Sequence, residues 1–198
     1  MTSISPLKNV LEKGLFGDYE KKNEDNLIKI KELSSLLIVQ IVQYKNSSLQ
    51  TKGFSIDNLS LPLESLKVNS NKDSRILWCG PKNWLLISNK KNLIQIIKNS
   101  FNENDFAVTD LSHSRAVIEL EGENSKEILK KGSPFNFNEL KKNNCVNTIF
   151  NGITITIDMT NDNPNNLRLF ALRSFGESLY HSITDACLED GYKVIYPT

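Results

Sequence analysis

Asp110-Leu111-Ser112-His113-Ser114-Arg115-Ala116-Val117-Ile118-Glu119-Leu120-Glu121-Gly122 lies just past the middle of a 198-residue chain and holds one of its two histidines. From Arg115 onward the stretch reads as a β-strand. Ala116, Ile118 and Leu120 share one face, and Arg115, Glu119 and Glu121 share the other. Val117 falls among the charged residues, so that second face is not wholly solvated. A Ser/His/Ser/Arg cluster at the head of a strand serves either chemistry or scaffolding, and the choice between them is the functional question.

Towards the N-terminus, Phe106 to Val108 reads as a strand reached through the loop Asn102-Glu103-Asn104-Asp105. Before it, Asn89 is placed to cap a helix with Leu93, Ile94, Ile96, Ile97 and Phe101 on one face. Arg75 to Cys79 and Trp84 to Ser88 form strands around Gly80-Pro81-Lys82-Asn83, a turn with hairpin chemistry. Asn58 to Ser74 is a polar loop containing Pro62, and Ser47 to Asn58 a weak helix broken by Gly53. The β-branched run Leu36 to Val42 predicts a central strand, and Leu27 to Glu32 alternates as another. Residues 1–26, rich in charge, read as an extended N-terminal arm in which Leu7, Val10, Leu11, Leu15 and Phe16 are available for docking; the pattern also allows a short helix from Pro6 to Lys13.

Towards the C-terminus the order repeats. Asn124, with Glu127 at the third position, caps a helix that buries Ile128 and Leu129 and stops at Gly132 and Pro134. Phe135 and Phe137 sit in a loop as exposed-looking aromatics. Cys145 to Phe150 and Ile153 to Asp158 flank Asn151-Gly152, a type I′ hairpin signal. After a turn-rich loop from Asn161 to Asn166, Leu167 to Leu172 is a strand. Ser174-x-x-Glu177 forms a capping box for a last helix with Phe175, Leu179, Ile183, Ala186 and Cys187 on its buried face, ended by Gly191. The fold class is α+β: a domain over 27–198 made of two related modules, about 27–110 and 111–198, sharing a core.

A net charge of +1, from 24 basic and 23 acidic residues, offers no electrostatic basis for nucleic acid or an anionic membrane. The strongest apolar run, Leu33 to Val42, is far below the roughly 20 residues of a spanning helix. The N-terminus, with Pro6, Lys8, Glu12 and Lys13, lacks the unbroken apolar run of a signal peptide. Cys79, Cys145 and Cys187, odd in number and widely spaced, predict reduced thiols in a cytoplasmic protein rather than disulfides or structural zinc.

Ser112, Ser114 and Asp110 around His113 suggest a nucleophilic triad, but strand neighbours point to opposite faces and no G-x-S-x-G elbow is present. His113, His181 and the cysteines lack metal-ligand spacing. His113 and Arg115, two apart, could share a face and hold a carboxylate or an interface acid. The plainer reading has Asp110 cap the turn and pair locally with Arg115 or His113. Trp78 and Trp84 either pack their hairpin or anchor a partner. There is no Gly-x-Gly-x-x-Gly and no P-loop.

Four segments carry a resemblance. Trp78-Cys79-Gly80-Pro81-Lys82-Asn83-Trp84-Leu85-Leu86 resembles the W-L-G-P-D-E-W-L-L segment of the gamma subunit of heterotetrameric sarcosine oxidase. Asp110 to Arg115 with Gly122 is similar to that family's D-L-S-H-x-R…G. Leu129 to Phe135 is similar to its L-x-K-G-C-P-L, with Ser133 where cysteine is usual, and Arg173-Ser174-Phe175 to its R-S-F. The resemblance spans roughly Leu36 to Gly191; the arm and the Asn/Lys-rich loops do not match. It implies two ferredoxin-like β-α-β-β-α modules, as in the aminomethyltransferase-type folate-binding fold, whose own Asp-Val-Ser-His segment accounts for the look of Asp110 to His113. It also implies a chain without catalytic, cofactor or metal residues of its own, in an oxidoreductase whose alpha, beta and delta subunits carry FAD, FMN, NAD and zinc and use tetrahydrofolate as co-substrate. Asp110, Ser112, His113, Arg115, Trp84 and Phe135 are then interface or structural residues, with the alpha subunit the main partner. Two alternatives stay open: the corresponding subunit of an N-methylglutamate dehydrogenase-type complex, and a stand-alone folate-binding, aminomethyltransferase-like protein.

Overall fold

Arg115–Glu121 forms a strand, and its two faces separate as the alternation requires: Ala116, Ile118 and Leu120 are fully buried, while its acids pair across the sheet. Glu119 Oε2 accepts from Arg168 Nε at 3.0 Å and Glu121 Oε1 from Lys29 Nζ at 2.9 Å. Both are cross-strand neighbours by register, the arrangement in which side-chain pairs stabilise a sheet. Val117 is buried too.

The computed structural model describes residues 4–20, 22–51 and 53–196. In chain order the elements are β1 (Gly14–Phe16), β2 (Ile28–Glu32), β3 (Leu37–Gln43), β4 (Ser55–Ile56), β5 (Leu59–Ser60), β6 (Val68–Ser70), β7 (Ser74–Gly80), β8 (Asn83–Ser88) and α1 (Leu93–Ser100). Then follow β9 (Phe106–Asp110), β10 (Arg115–Glu121), α2 (Ser125–Lys130), β11 (Cys145–Phe150), β12 (Ile153–Asp162), β13 (Asn165–Leu172), α3 (Gly176–Cys187) and β14 (Tyr192–Ile195).

The chain divides into two units. Unit 1 takes the residues up to Ser34, Ser114–Lys142 and those from Val146 onward; unit 2 takes Ser35–His113 and Asn143–Cys145. Unit 1 is built on a sheet ordered β1-β14-β2-β10-β13-β12-β11, in which β14 runs parallel to β2. Ile30, Ile118, Leu120, Leu167 and Leu169 of that sheet share its core with Leu179, Ile183 and Cys187 of α3 and Ile128 and Leu129 of α2. Unit 2 is built on a sheet ordered β6-β7-β8-β3-β9, whose Val39, Ile41, Ile76, Trp84 and Leu86 pack with Leu93 and Ile97 of α1 and with Phe101 and Phe106.

The division differs from consecutive modules split at 110/111. β2, expected in the first module, hydrogen-bonds to β10 and β14, so it completes the sheet of unit 1. The N-terminal arm departs from expectation as well. Its residues 1–3 and Lys21 lie outside the described residues, but Leu7 and Leu11 are buried in unit 1, and β1 pairs with β14. Phe16 stacks on Tyr192 at 5.3 Å. Its apolar residues cover the core of their own unit, through turns rather than a helix at residues 6–10.

Ser47–Asn58 is not helical among its described residues. Asp57 and Asn58 both adopt positive φ and turn β4 into β5. The capping expectations also change. The residue preceding α1 is Asn92 rather than Asn89, and neither Asn92, Asn124 nor Phe175 makes a side-chain cap bond. Ser125 Oγ instead donates to Gly122 O at 2.8 Å. Ile96, expected inward, is half exposed because it falls off the stripe that α1 buries, and Phe175, also expected inward, is half exposed in the turn that precedes α3. Phe137, expected in an exposed loop, is fully buried.

Candidate functional site

The Asp110–His113 turn is a hydrogen-bonded clamp on β3. Asp110 Oδ1 accepts from the Ser112 amide at 2.9 Å and from the Ser112 hydroxyl at 2.6 Å. Ser112 Oγ accepts from Ile38 N at 3.0 Å, and Leu111 N donates to Ile38 O at 2.8 Å. Desolvation pushes the Asp110 carboxyl upward, but the Ser112 hydroxyl and amide, with the charges of His113 and Lys91, outweigh it and hold the group below its ordinary 3.8. Ser112 has committed its proton to Asp110 and its lone pair to a backbone amide, which is how a hydroxyl fixes a turn rather than how it attacks a substrate. The local partner of Asp110 is therefore Ser112. The strand starts only at Arg115, so His113 sits in the preceding turn and strand alternation does not relate the two; they fall in different units.

In unit 1, Arg115 Nη1 donates to the carbonyl and the hydroxyl of Ser114, each at 3.3 Å. The β10/β13 register sets Arg115 opposite Leu172, and Arg173 N donates to Ser114 O at 2.9 Å. Two segments singled out separately, Ser114-Arg115 and Arg173-Ser174-Phe175, are thereby brought to one end of one sheet. Ser114, Arg173 and Ser174 of these segments line an open depression of about 720 Å³ with Ser5, Pro6, Leu172 and Glu177. Arg173 also donates to Ile4 O. Nearby, Ser5 Oγ donates to buried Glu32 Oε2 at 2.6 Å, while Glu32 Oε1 is buried without a partner among the described residues. Leu172 and Phe175 stand half exposed on this surface. Leu172 carried no sequence signal, because it continues a buried strand by one residue.

Trp84 is a core residue of unit 2, and its Nε1 donates to Pro62 O at 2.7 Å. Trp78, its cross-strand partner, is half-buried and lines a cavity of about 500 Å³. Phe135 is half-buried against the core of unit 1, edge-on to Phe137 at 5.3 Å. Ser133, where the resemblance expects cysteine, hydrogen-bonds Thr148 Oγ1 at 3.0 Å.

Two of the three thiols are held in ways that oppose nucleophilic attack. Cys145 Sγ donates to Trp78 O at 3.2 Å, and burial, with the charge of Asp190 next, pushes the Cys187 thiol up to about 12. Among the described residues, no group of three His, Cys, Asp or Glu is placed to hold a metal ion, and no helix is long and apolar enough to cross a membrane.

This mixed α+β arrangement of sheets and few helices is similar to that of solved aminomethyltransferase and sarcosine oxidase chains. Glycine cleavage system aminomethyltransferase T from Bartonella henselae superposes with a TM-score of 0.63 at 11% identity, over 96% of this chain and 58% of that one. A chain of the heterotetrameric sarcosine oxidase from Corynebacterium sp. U-96, solved with pyrrole 2-carboxylate, superposes with a TM-score of 0.73 at 20% identity, over 85% of this chain and 88% of that one. At these identities the likeness establishes the fold. By sequence, sarcosine oxidase subunit gamma of Corynebacterium sp. (strain U-96) is 27% identical over 117 residues, which is 58% of this chain and 56% of that protein's length. Residues 49–189 match the model of the family described as Sarcosine oxidase, gamma subunit family. The chain belongs to that family.

Proposed function

We propose that the chain is a non-catalytic subunit of a sarcosine oxidase-type heterotetramer, supporting a large flavin-bearing alpha subunit and lying with beta and delta subunits in one assembly. The complex converts sarcosine, tetrahydrofolate and oxygen to glycine, 5,10-methylenetetrahydrofolate and hydrogen peroxide. FAD, FMN, NAD and zinc reside on the other subunits, in the cytoplasm. The observation that carries this reading is the family match over 49–189, which spans the tryptophan hairpin, the Asp110–Arg115 turn and the Arg173–Phe175 segment. The internal bonding of the turn supports it: Asp110 and Ser112 are spent on each other and on β3, which fits a clamp and not a pterin site. We also read both units as ferredoxin-like. The order β9-β3-β8-β7 in unit 2 matches β14-β10-β13-β12 in unit 1, with β2 inserted between β14 and β10.

The interface is assigned to the end of the sheet where Arg115 and Arg173–Phe175 meet. Exchanging Arg115 for Ala in the co-expressed complex is expected to weaken assembly roughly tenfold, about 1.4 kcal/mol, with turnover per flavin unchanged. Gel filtration and flavin-normalised peroxide production measure the two. Collapse of turnover in a fully assembled complex would show that the side chain serves the chemistry instead. Comparing sarcosine with N-methylglutamate on the purified complex separates this function from the N-methylglutamate dehydrogenase alternative. Micromolar tetrahydrofolate binding by the isolated chain would favour the stand-alone folate-binding alternative.

A further inference from the structure

We infer that the tryptophan-floored cavity of unit 2 seats an apolar side chain of another polypeptide, with a neighbouring carboxylate of that polypeptide paired to Lys82. This rests on the reading of the chain as a subunit and names the surface and the chemistry of one contact.

Trp78 and Trp84 are directly opposite in β7 and β8, so they project from the same face as the next pair, Ile76 and Leu86. Ile76 and Leu86 lie in the core, and Trp84 ends that core with its indole nitrogen fixed to Pro62 O. Trp78 lies beyond it, half-buried. The cavity of about 500 Å³ opens here, walled by Trp78, Trp84, Pro62, Leu63, Leu49 and Lys82. Its floor is preorganised, since the tryptophan pair is set by the strand register and one indole is already hydrogen-bonded.

The rim identifies the class of occupant. Leu49 is 43% and Leu63 52% exposed, and Tyr44, whose carbonyl accepts from Lys82 Nζ at 3.4 Å, is 40% exposed. The exposed apolar surface continues from the lining residues Leu49 and Leu63 to Tyr44, which lies outside the lining; an occupant confined to the cavity leaves Tyr44 in water, whereas a polypeptide surface laid across it covers all three. Aromatic anchors ringed by apolar contacts are where binding energy concentrates in protein interfaces. Charge supplies the second constraint. Among the described lining residues Lys82 alone is charged, so the complementary group is a carboxylate beside the inserted side chain.

The chain has two tryptophans, and both line this cavity, so fluorine on the indoles reports on it directly. The full chain, labelled with 5-fluorotryptophan and assigned with Trp78→Phe, is titrated with the remaining subunits of the purified oxidase. The Trp78 resonance is expected to shift on association. Leu63→Asp, a change at an exposed position that leaves the fold intact by circular dichroism, weakens association at least tenfold. Lys82→Glu weakens it roughly threefold and removes its dependence on salt. Co-elution of the chain with the other subunits, with Trp78 unmoved and Leu63→Asp without effect, overturns the inference and leaves the subunit reading standing. A shift on concentrating the chain alone, or with sarcosine or tetrahydrofolate alone, overturns it in favour of a second copy or a small ligand. Failure to associate at all removes the subunit reading and the inference with it.

Discussion

From β10 in unit 1 and from β3 in unit 2 the chain runs through a connection that ends in an edge strand, two further strands, a helix and a last strand, yet the units close one face of the sheet differently. In unit 1, the connection after β10 is α2, a short helix with Ser125, Ile128 and Leu129 buried. In unit 2, the connection after β3 is an irregular stretch with β4, β5 and β6, and it covers the sheet with Ile56 and Leu61, helped by Phe54 and Leu59. Residue chemistry accounts for the difference. Gly53, the positive-φ pair Asp57-Asn58 and Pro62 all oppose a helix, whereas Ser125 to Lys130 contains no such residue and is bounded by Gly122 and Gly132. An irregular cover gives up the regular apolar stripe of a helix, and at its end Trp78 stays half-buried. The less regular unit thus leaves a tryptophan half-buried in the wall of a cavity.

The comparison breaks most easily at the two covers. Ile128 and Ile56 are both buried. Truncating either to Ala should destabilise its unit by about 3 kcal/mol, through lost transfer energy and the cavity left behind, as followed by urea unfolding. A loss below roughly 1 kcal/mol for Ile56→Ala would mean the irregular stretch is not a true cover. Gly132→Ala should cost somewhat less, about 2 kcal/mol, because its new Cβ would stand 2.6 Å from Asn151 Oδ1 and 2.7 Å from the buried Phe150 ring. A neutral outcome would show that the end of α2 can shift away from the β11–β12 hairpin.

What was legible from residues alone follows the range of the signal. β10 and both hairpins could be read because alternation and turn dipeptides are local; Asn151 and Gly152 hold the positive φ values of 46° and 82° that a type I′ turn demands. β14 was missed, since Tyr192–Ile195 is short and its partner β2 lies more than 150 residues away. The same distance hid the placement of β2 in unit 1. At the candidate site, Asp110 was legible as the residue that caps the turn, but the sequence pointed to Arg115 or His113 as its partner and the partner is Ser112; Leu49 and Leu63 carried no such mark. Leu63 continues the alternation of Leu59 and Leu61, and Leu49 stands alone among polar residues, so neither spacing pointed to Trp78.

Electrostatics sharpens the comparison further, because the irregular cover is tied down by charge. The Lys90 ammonium, then the Ser74 hydroxyl, lower the Asp57 carboxyl below its ordinary 3.8, and the same contact raises Lys90 above 10.5. A carboxyl lowered in the folded state contributes stability above its unfolded value and loses it as pH falls through the folded one. The raised ammonium contributes below 10.5 and loses its share as pH climbs above that. Asp57→Asn should therefore lower the urea midpoint at pH 7, and its difference from the parent should shrink as pH drops below about 4. A difference independent of pH across that range would assign the effect to the turn geometry instead of the charge.

The smallest effect is expected where sequence reading predicted a sizeable one. A side-chain cap at Asn124 would make Asn124→Ala cost about 0.5–2 kcal/mol. The Asn124 side chain makes no cap bond and reaches half-buried Asp190 Oδ1 at 3.2 Å. The start of α2 is fastened one residue later, where Ser125 is buried and both its amide and its hydroxyl donate to Gly122 O. Asn124→Ala should accordingly stay within about 0.5 kcal/mol in urea unfolding, while Ser125→Ala costs about 1 kcal/mol through its lost hydrogen bond. The reverse order would return the cap to Asn124, and α2 would then begin by the rule its sequence suggests and not by a hydroxyl bonded back to the glycine that ends β10.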